Sequence, residues 1–307
     1  MITSIIEHFK ELPDPRVNQH LKLHKLIDIV VIAICGTLAK CESWEEIADY
    51  GEEKEGLFKR FLTLPNGIPS HDTFNRLFSQ LDPVAWQRCF LAWMQGMSSL
   101  SADKLVALDG KTLRATKQSG TGKGKTEQAA LELVSAWLSE NELVLAQLAV
   151  PQGSNEITVI PDLLELLDLE GATVTLDAMG CHKEIADTII EQGGQYLLSL
   201  KRNHKTLFQA VTDLFEDTLS TPEPVDKADS FDVAHGRQEE RTCYVMPVAP
   251  HAERFKLAAC DLTAWTHLQT FIMLEAHTLR QGESSTHRRF FLSSLGCSAQ
   301  EALAKVR

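Results

Sequence analysis

Lys104-Leu-Val-Ala-Leu-Asp109-Gly-Lys-Thr112 and Gly171-Ala-Thr-Val-Thr-Leu-Asp177-Ala-Met-Gly180 are two runs of one design. Each is apolar and partly β-branched, and each stops at an aspartate with glycine close behind. That is the pattern of a buried strand releasing a carboxylate at its C-terminal end. Side by side in one sheet, two such strands bring Asp109 and Asp177 together, and paired carboxylates make an oxygen-rich site suited to Mg²⁺ or Mn²⁺. A strand-end aspartate can equally cap the turn that follows it. Lys111 and Arg114, directly after Asp109, tip the balance, because they put cations where phosphate oxygens can be met and a structural turn needs none.

Outward from this pair the chain alternates between periods of two and 3.6 residues. Strands are expected at 104–108, 131–138, 142–150, 172–176 and 195–200, and helices from Asn155 or Thr158 to Leu167, at 183–192 and at 205–219. The first three strands read as an antiparallel set. The order βββαβαβα is that of ribonuclease-H-like nucleic-acid enzymes, whose first and fourth strands are neighbours, so Asp109 is expected beside Asp177. Residues 1–100 read as helical, with Ser43-Trp-Glu-Glu46 as a capping box, Gly51 as a helix stop and the aromatics Phe74, Phe78, Trp86, Phe90 and Trp93 as core. After the Pro-rich 221–224, strand-like runs at 230–246, 255–259, 270–278 and 289–295 indicate a β-rich insertion, and 298–307 reads as an unfinished helix. The expected class is therefore α/β: a ribonuclease-H-like mixed sheet in 101–307, carrying a β-rich part at about 221–295, after an N-terminal helical domain.

Composition limits the alternatives. A chain of 307 residues with 44% hydrophobic content can bury one large core and a smaller one. Its seven cysteines form no CxxC pair and are odd in number, which suggests neither a disulfide framework nor a zinc ribbon but reduced thiols in a cytoplasmic protein. The longest mostly apolar run, 29–39, is too short to span a bilayer, and no basic-then-apolar leader precedes it. A net charge of −12 argues mildly against duplex binding, yet basic residues gather in three places: 111–125, Lys201-Arg-Asn-His-Lys205, and Arg280 with Arg288 and Arg289.

Two further segments stand out. Gly120-Thr-Gly-Lys-Gly-Lys-Thr126 ends like a phosphate loop, but Ser119 stands where the first glycine belongs and no strand leads directly into it, so it reads as a flexible basic loop. His235-Gly-Arg-Gln-Glu239-Glu-Arg241 puts His235, Arg237, Glu239 and Arg241 on one face of a strand, as a charged edge or as a functional face.

Taken together, Phe9-x-x-Leu12-Pro-Asp-Pro-Arg16, Ile68-Pro-Ser-His-Asp-Thr-Phe74, Leu108-Asp-Gly-Lys-Thr-Leu-Arg114, Ser154-Asn-Glu-Ile-Thr158, Thr175-Leu-Asp-Ala-Met-Gly-Cys181 and His235-Gly-Arg-Gln-Glu239 resemble the ISAs1 family of insertion-sequence transposases, relatives of the H-repeat-associated proteins in the IS4-like group. The resemblance covers essentially the whole chain. It implies a DDE catalytic domain that cuts and joins DNA by two-metal phosphoryl transfer with Mg²⁺ or Mn²⁺. Asp109 and Asp177 then fall on the first two catalytic aspartates, and Lys111, Arg114, Lys201, Arg202 and Arg237 would meet DNA. Partners would be the element ends and target DNA, with a homodimer on DNA as one admissible assembly and the bacterial nucleoid as the place of work. The third acid departs from the family pattern: it is either Glu239, as a metal ligand, or an acid in a Trp-x-Ile-Glu-Asn segment expected after 307, which would make this a truncated copy. A catalytically inactive DNA-binding remnant and a ribonuclease-H-like metal nuclease are the competing readings.

Overall fold

The computed structural model describes residues 2–17, 22–97, 104–113, 130–139, 143–222, 224–234, 237–280 and 282–306. The chain divides into two compact units, Met1–Ser99 and Leu100–Arg307. Among the described residues no helix is long and apolar enough to cross a membrane.

The first unit is helical: α1 (Ile2–Phe9), α2 (Leu26–Leu38), α3 (Trp44–Glu53), α4 (Glu55–Phe58), α5 (His71–Phe78) and α6 (Pro83–Met97). The aromatics are packed as core: Phe9 and Phe78 both lie against Trp86, and Trp44 stacks on Phe74. Ser43 caps α3 by accepting from Glu46 N–H, while the Glu46 carboxylate accepts from Glu42 N–H, so the reciprocal half of the expected box is displaced by one residue. Gly51 does not stop α3. It sits inside the helix because a Cβ there would meet Ile68 at 2.8 Å and Ile32 at 3.2 Å, a closeness of packing that outweighs its poor helix propensity.

The Pro13-Asp-Pro15 break is held by charge. Asp14 accepts from the backbone and side chain of Arg16 and pairs with Lys22 at 3.1 Å, while Arg16 reaches on to His24 O. Burial would raise the Asp14 carboxyl, but the hydrogen bonds from Arg16 and Lys22 outweigh it and bring it down to about 2. A depressed carboxylate contributes stability above its ordinary value of 3.8 that is lost as pH falls towards about 2. Asp14→Asn is therefore predicted to lower the melting temperature by a few degrees at pH 7. The gap from the unaltered protein should close as thermal melts are repeated at falling pH through that window.

The second unit is built on one nine-stranded sheet in the order β3-β2-β1-β4-β5-β9-β8-β7-β6. Strand β1 (Leu105–Leu113) pairs antiparallel with β2 (Leu131–Leu138), which pairs with β3 (Leu143–Ala149); on its other side β1 lies parallel to β4 (Thr173–Leu176), and β4 parallel to β5 (Gln195–Leu200). This is the expected ribonuclease-H-like order. Helices α7 (Glu156–Glu165), α8 (Lys183–Glu191) and α9 (Lys205–Leu219) make the crossovers. One sheet face is buried through Val106, Leu108, Val174, Leu176, Leu198 and Leu200.

Beyond β5 the chain differs from expectation. The run 230–246 is a hairpin of two strands, β6 (Asp226–Ala234) and β7 (Arg237–Pro247), because the polar composition on both sides of His235-Gly236 hides the reversal. Residues 255–259 fall mainly in a helix, α10 (Ala252–Leu257), where Phe255 is the lone buried side chain and stacks on Phe271. Strands β8 (Thr270–Arg280) and β9 (Glu283–Ser293) complete the sheet, and α11 (Ala299–Lys305) packs Ala299, Ala302 and Leu303 against Cys243, Val245 and Leu274. The β-rich part is thus no separate appendage. Phe290 to Ser293 pair antiparallel with Leu200 to Leu197, covering the β5 edge that would otherwise offer unpaired backbone groups.

That seam is short and has been reinforced. Ser294 Oγ accepts from Tyr196 N–H at 2.8 Å and donates to Gln195 Oε1, and Ser293 Oγ donates to Tyr196 O; both serines are buried. Ser294→Ala leaves the Tyr196 N–H without that partner and is predicted to destabilise the second unit by about 1–3 kcal/mol. Urea unfolding of the variant against the parent measures it.

Candidate active site at the sheet edge

Register places the two aspartates. In the parallel ladder Leu108 lies opposite Leu176, so the next residues, Asp109 and Asp177, leave adjacent strands side by side, and both are exposed. Asp109 is not at the end of its strand: β1 continues to Leu113 because the longer β2 keeps pairing with it, with Asp109 opposite Ser135, whereas the four-residue β4 has already stopped. Asp177 caps the short 3-10 turn Ala178–Gly180, accepting from Met179 N–H at 2.9 Å and Gly180 N–H at 3.3 Å. Both bonds fall on Oδ1, which orients the group and turns Oδ2 away from the turn.

The turn after β5 is fastened to the turn after β4. Asn203 Nδ2 donates to Ala178 O at 2.8 Å, and His204 Nε2 lies 2.6 Å from Cys181 O. Neither residue was singled out for a role by sequence reasoning. Lys201 and Arg202 begin this segment and are exposed at the same edge, since β1, β4 and β5 run parallel. Lys111 is exposed two residues after Asp109. Arg114, residues 117–125 and His235 lie outside the described residues.

One acid at this edge escaped the sequence reading. Glu156 is the first residue of α7, whose cap is Asn155, accepting from Thr158 N–H. Its carboxylate lies so close over Gly110 that a Cβ on that glycine would collide with it. Burial, then the negative charges of Asp177, Glu132 and Asp109, push the Glu156 carboxyl above its ordinary value. The available signal was the pairing of Asp109-Gly110 with an acid one residue past a helix cap.

Glu239 is placed elsewhere. Strand β7 is separated from β4 by β5, β9 and β8, which is about 19 Å across the sheet at ~4.8 Å per strand. Through Met273 and Phe290, Tyr244 is level with Leu200, and Glu239 lies five residues further along β7, about 17 Å past the end of β5. Its carboxylate pairs with Arg241 at 2.8 Å and with Arg237. The hydrogen bond from Arg241 is the main cause of its lowered pKa; the charges of Arg241, Arg237 and Arg289 act the same way, against a smaller effect of burial. The structure therefore does not bring Glu239 to Asp109 and Asp177, because hairpin registers carry it out along an arm. Among the described residues no three His, Cys, Asp or Glu side chains are drawn close enough to hold a metal ion as they stand.

A Transposase DDE domain model matches residues 100–277, more than half of the chain, and a DDE_Tnp_1-associated model matches 6–94. The chain belongs to the DDE transposase family. It is 40% identical over 288 residues to an "Uncharacterized protein in dhlA 3'region" of Xanthobacter autotrophicus, covering 93% of this chain and 92% of that protein. It is 33% identical over 310 residues to the "Putative transposase YncI" of Escherichia coli O157:H7, covering 100% of this chain and 76% of the relative. The "H repeat-associated putative transposase YhhI" of Escherichia coli K12 is 33% identical over 307 residues, again 100% of this chain and 79% of the relative. DDE transposase domains generally work with divalent metal ions, and the two hard carboxylates at the sheet edge are donors that fit such an ion.

Proposed function

We propose that this chain is a DNA transposase of the ISAs1 type, which cuts and joins DNA at a divalent-metal site built on Asp109 and Asp177. The observation that supports this reading best is the register that sets these two carboxylates side by side in a chain of the DDE family. Asp109 and Asp177 would hold Mg²⁺ or Mn²⁺, which when bound activates the attacking oxygen and steadies the leaving oxygen of an in-line phosphoryl transfer. Asp177 is held for that task by its two backbone donors. Lys111, Lys201 and Arg202 meet the phosphates flanking the scissile bond, with Arg114 as a further contact from sequence. Arg237 meets phosphates further along the duplex, on the arm where Arg237, Arg241 and Arg289 outnumber Glu239. Glu239 in this reading is the acid that organises those arginines. Two copies acting on paired element ends in the cytoplasm complete the picture.

The test is a supercoiled donor carrying the element's terminal repeats, incubated with a target plasmid, the 307-residue chain and Mg²⁺. Joined target insertions are expected. Nicks or degradation alone would make the protein a metal nuclease, and end binding without cleavage would make it a DNA-binding remnant.

A further inference from the structure

We propose that Glu156 is a third acid of the Asp109–Asp177 metal site, reaching it from the helix-covered side of the sheet through the gap that Gly110 leaves. The inference rests on the transposase reading of that pair and adds a residue to it. Alternation along β1 puts Val106, Leu108 and Gly110 on one face and Asp109 on the other. A side chain at position 110 would fill the space in which the Glu156 carboxylate lies, so the glycine directly after Asp109 is what admits an acid from α7 to this edge. The approach is fixed from the helix side as well: Asn155 caps α7, making Glu156 its first residue, where the helix N-terminus favours a negative group.

The neighbours of Glu156 are acids. Asp177, Glu132 and Asp109 all act on it, and among the described residues no cation pairs with it. A half-buried carboxylate over Gly110, next in sequence to one acid of the pair, departs from the usual solvated placement of acids, and such breaches of local rules gather at functional sites. A hard divalent cation resolves it, since it needs several oxygen ligands and two aspartates supply only part of a shell.

The test is Mn²⁺ binding to the full chain, followed by calorimetry or by the loss of the free-ion EPR signal, alongside metal-free thermal melts. Glu156→Gln is expected to weaken Mn²⁺ binding about 10- to 100-fold, while its metal-free melting temperature stays equal to or above that of the parent. Gly110→Ala keeps all three acids, yet should weaken Mn²⁺ in the same direction by displacing Glu156. Unchanged Mn²⁺ affinity in Glu156→Gln, with a lowered melt, would make Glu156 structural and overturn the inference. Asp109→Asn separates the two levels. If it weakens Mn²⁺ and Glu156→Gln does not, only this inference is wrong; if Asp109→Asn leaves binding untouched, or the parent binds no Mn²⁺, the metal-site reading falls and Glu156 falls with it.

Discussion

Asp109→Asn is expected to reduce Mg²⁺-dependent cleavage at the element ends by about a thousandfold or more, while end binding in a gel-shift assay is retained. The magnitude is that of removing a group which acts only on developing charge in the transition state. The retained binding follows from the separation of roles at the edge: Lys111, Lys201 and Arg202 are untouched by the substitution, and affinity for a duplex comes mostly from such phosphate contacts. Asparagine preserves the size of the side chain and its place opposite Ser135, so the strand ladder stays intact and the melting temperature should not fall. Cleavage persisting at the parent rate would remove Asp109 from the metal site.

The largest effect on stability is predicted at the join between the parallel strands and the β6–β9 arm. Leu292 is fully buried on β9, opposite Leu198 on one side and Phe271 on the other. Leu292→Ala empties this position and should cost about 2–5 kcal/mol, a large share of the ~5–15 kcal/mol that holds a typical domain. In urea the midpoint should drop with little change in slope, and hydrogen exchange should show the β8 and β9 amides losing protection before those of β4. A shift below about 0.5 kcal/mol would mean that the seam relies on its serine hydrogen bonds rather than on packing.

The aspartate pair was legible because strand signals are local. A β-branched run that stops at Asp-Gly is visible in a window of ten residues, and the order of strands then determines which two ends are neighbours. What could not be read was register over distance. Glu239 was correctly put on one face with Arg237 and Arg241, and they do pair, but only the hairpin ladders show that this face lies far out on the arm. The β6–β7 reversal leaves no mark in the sequence, because the same polar alternation continues through both strands and the period does not change between them. Glu156 is hidden in the sequence for a related reason: Asp109-Gly110 reads as turn chemistry, whereas the glycine lies inside a strand with the Glu156 carboxylate where its Cβ would be.

The hydrogen bonds from Asn203 to Ala178 O and between His204 and Cys181 O join two loops that leave adjacent strands. Their consequence is entropic. Loops that order only when a ligand arrives charge their lost freedom against binding, whereas these two have lost it already during folding. A cation or a phosphate reaching this edge therefore meets a surface whose backbone is set. The ordering is supplied by the fold, through one asparagine and one histidine. Loosening either one would free the two turns without altering a single acid, as a frame that lets a lens drift blurs the image while the glass stays perfect.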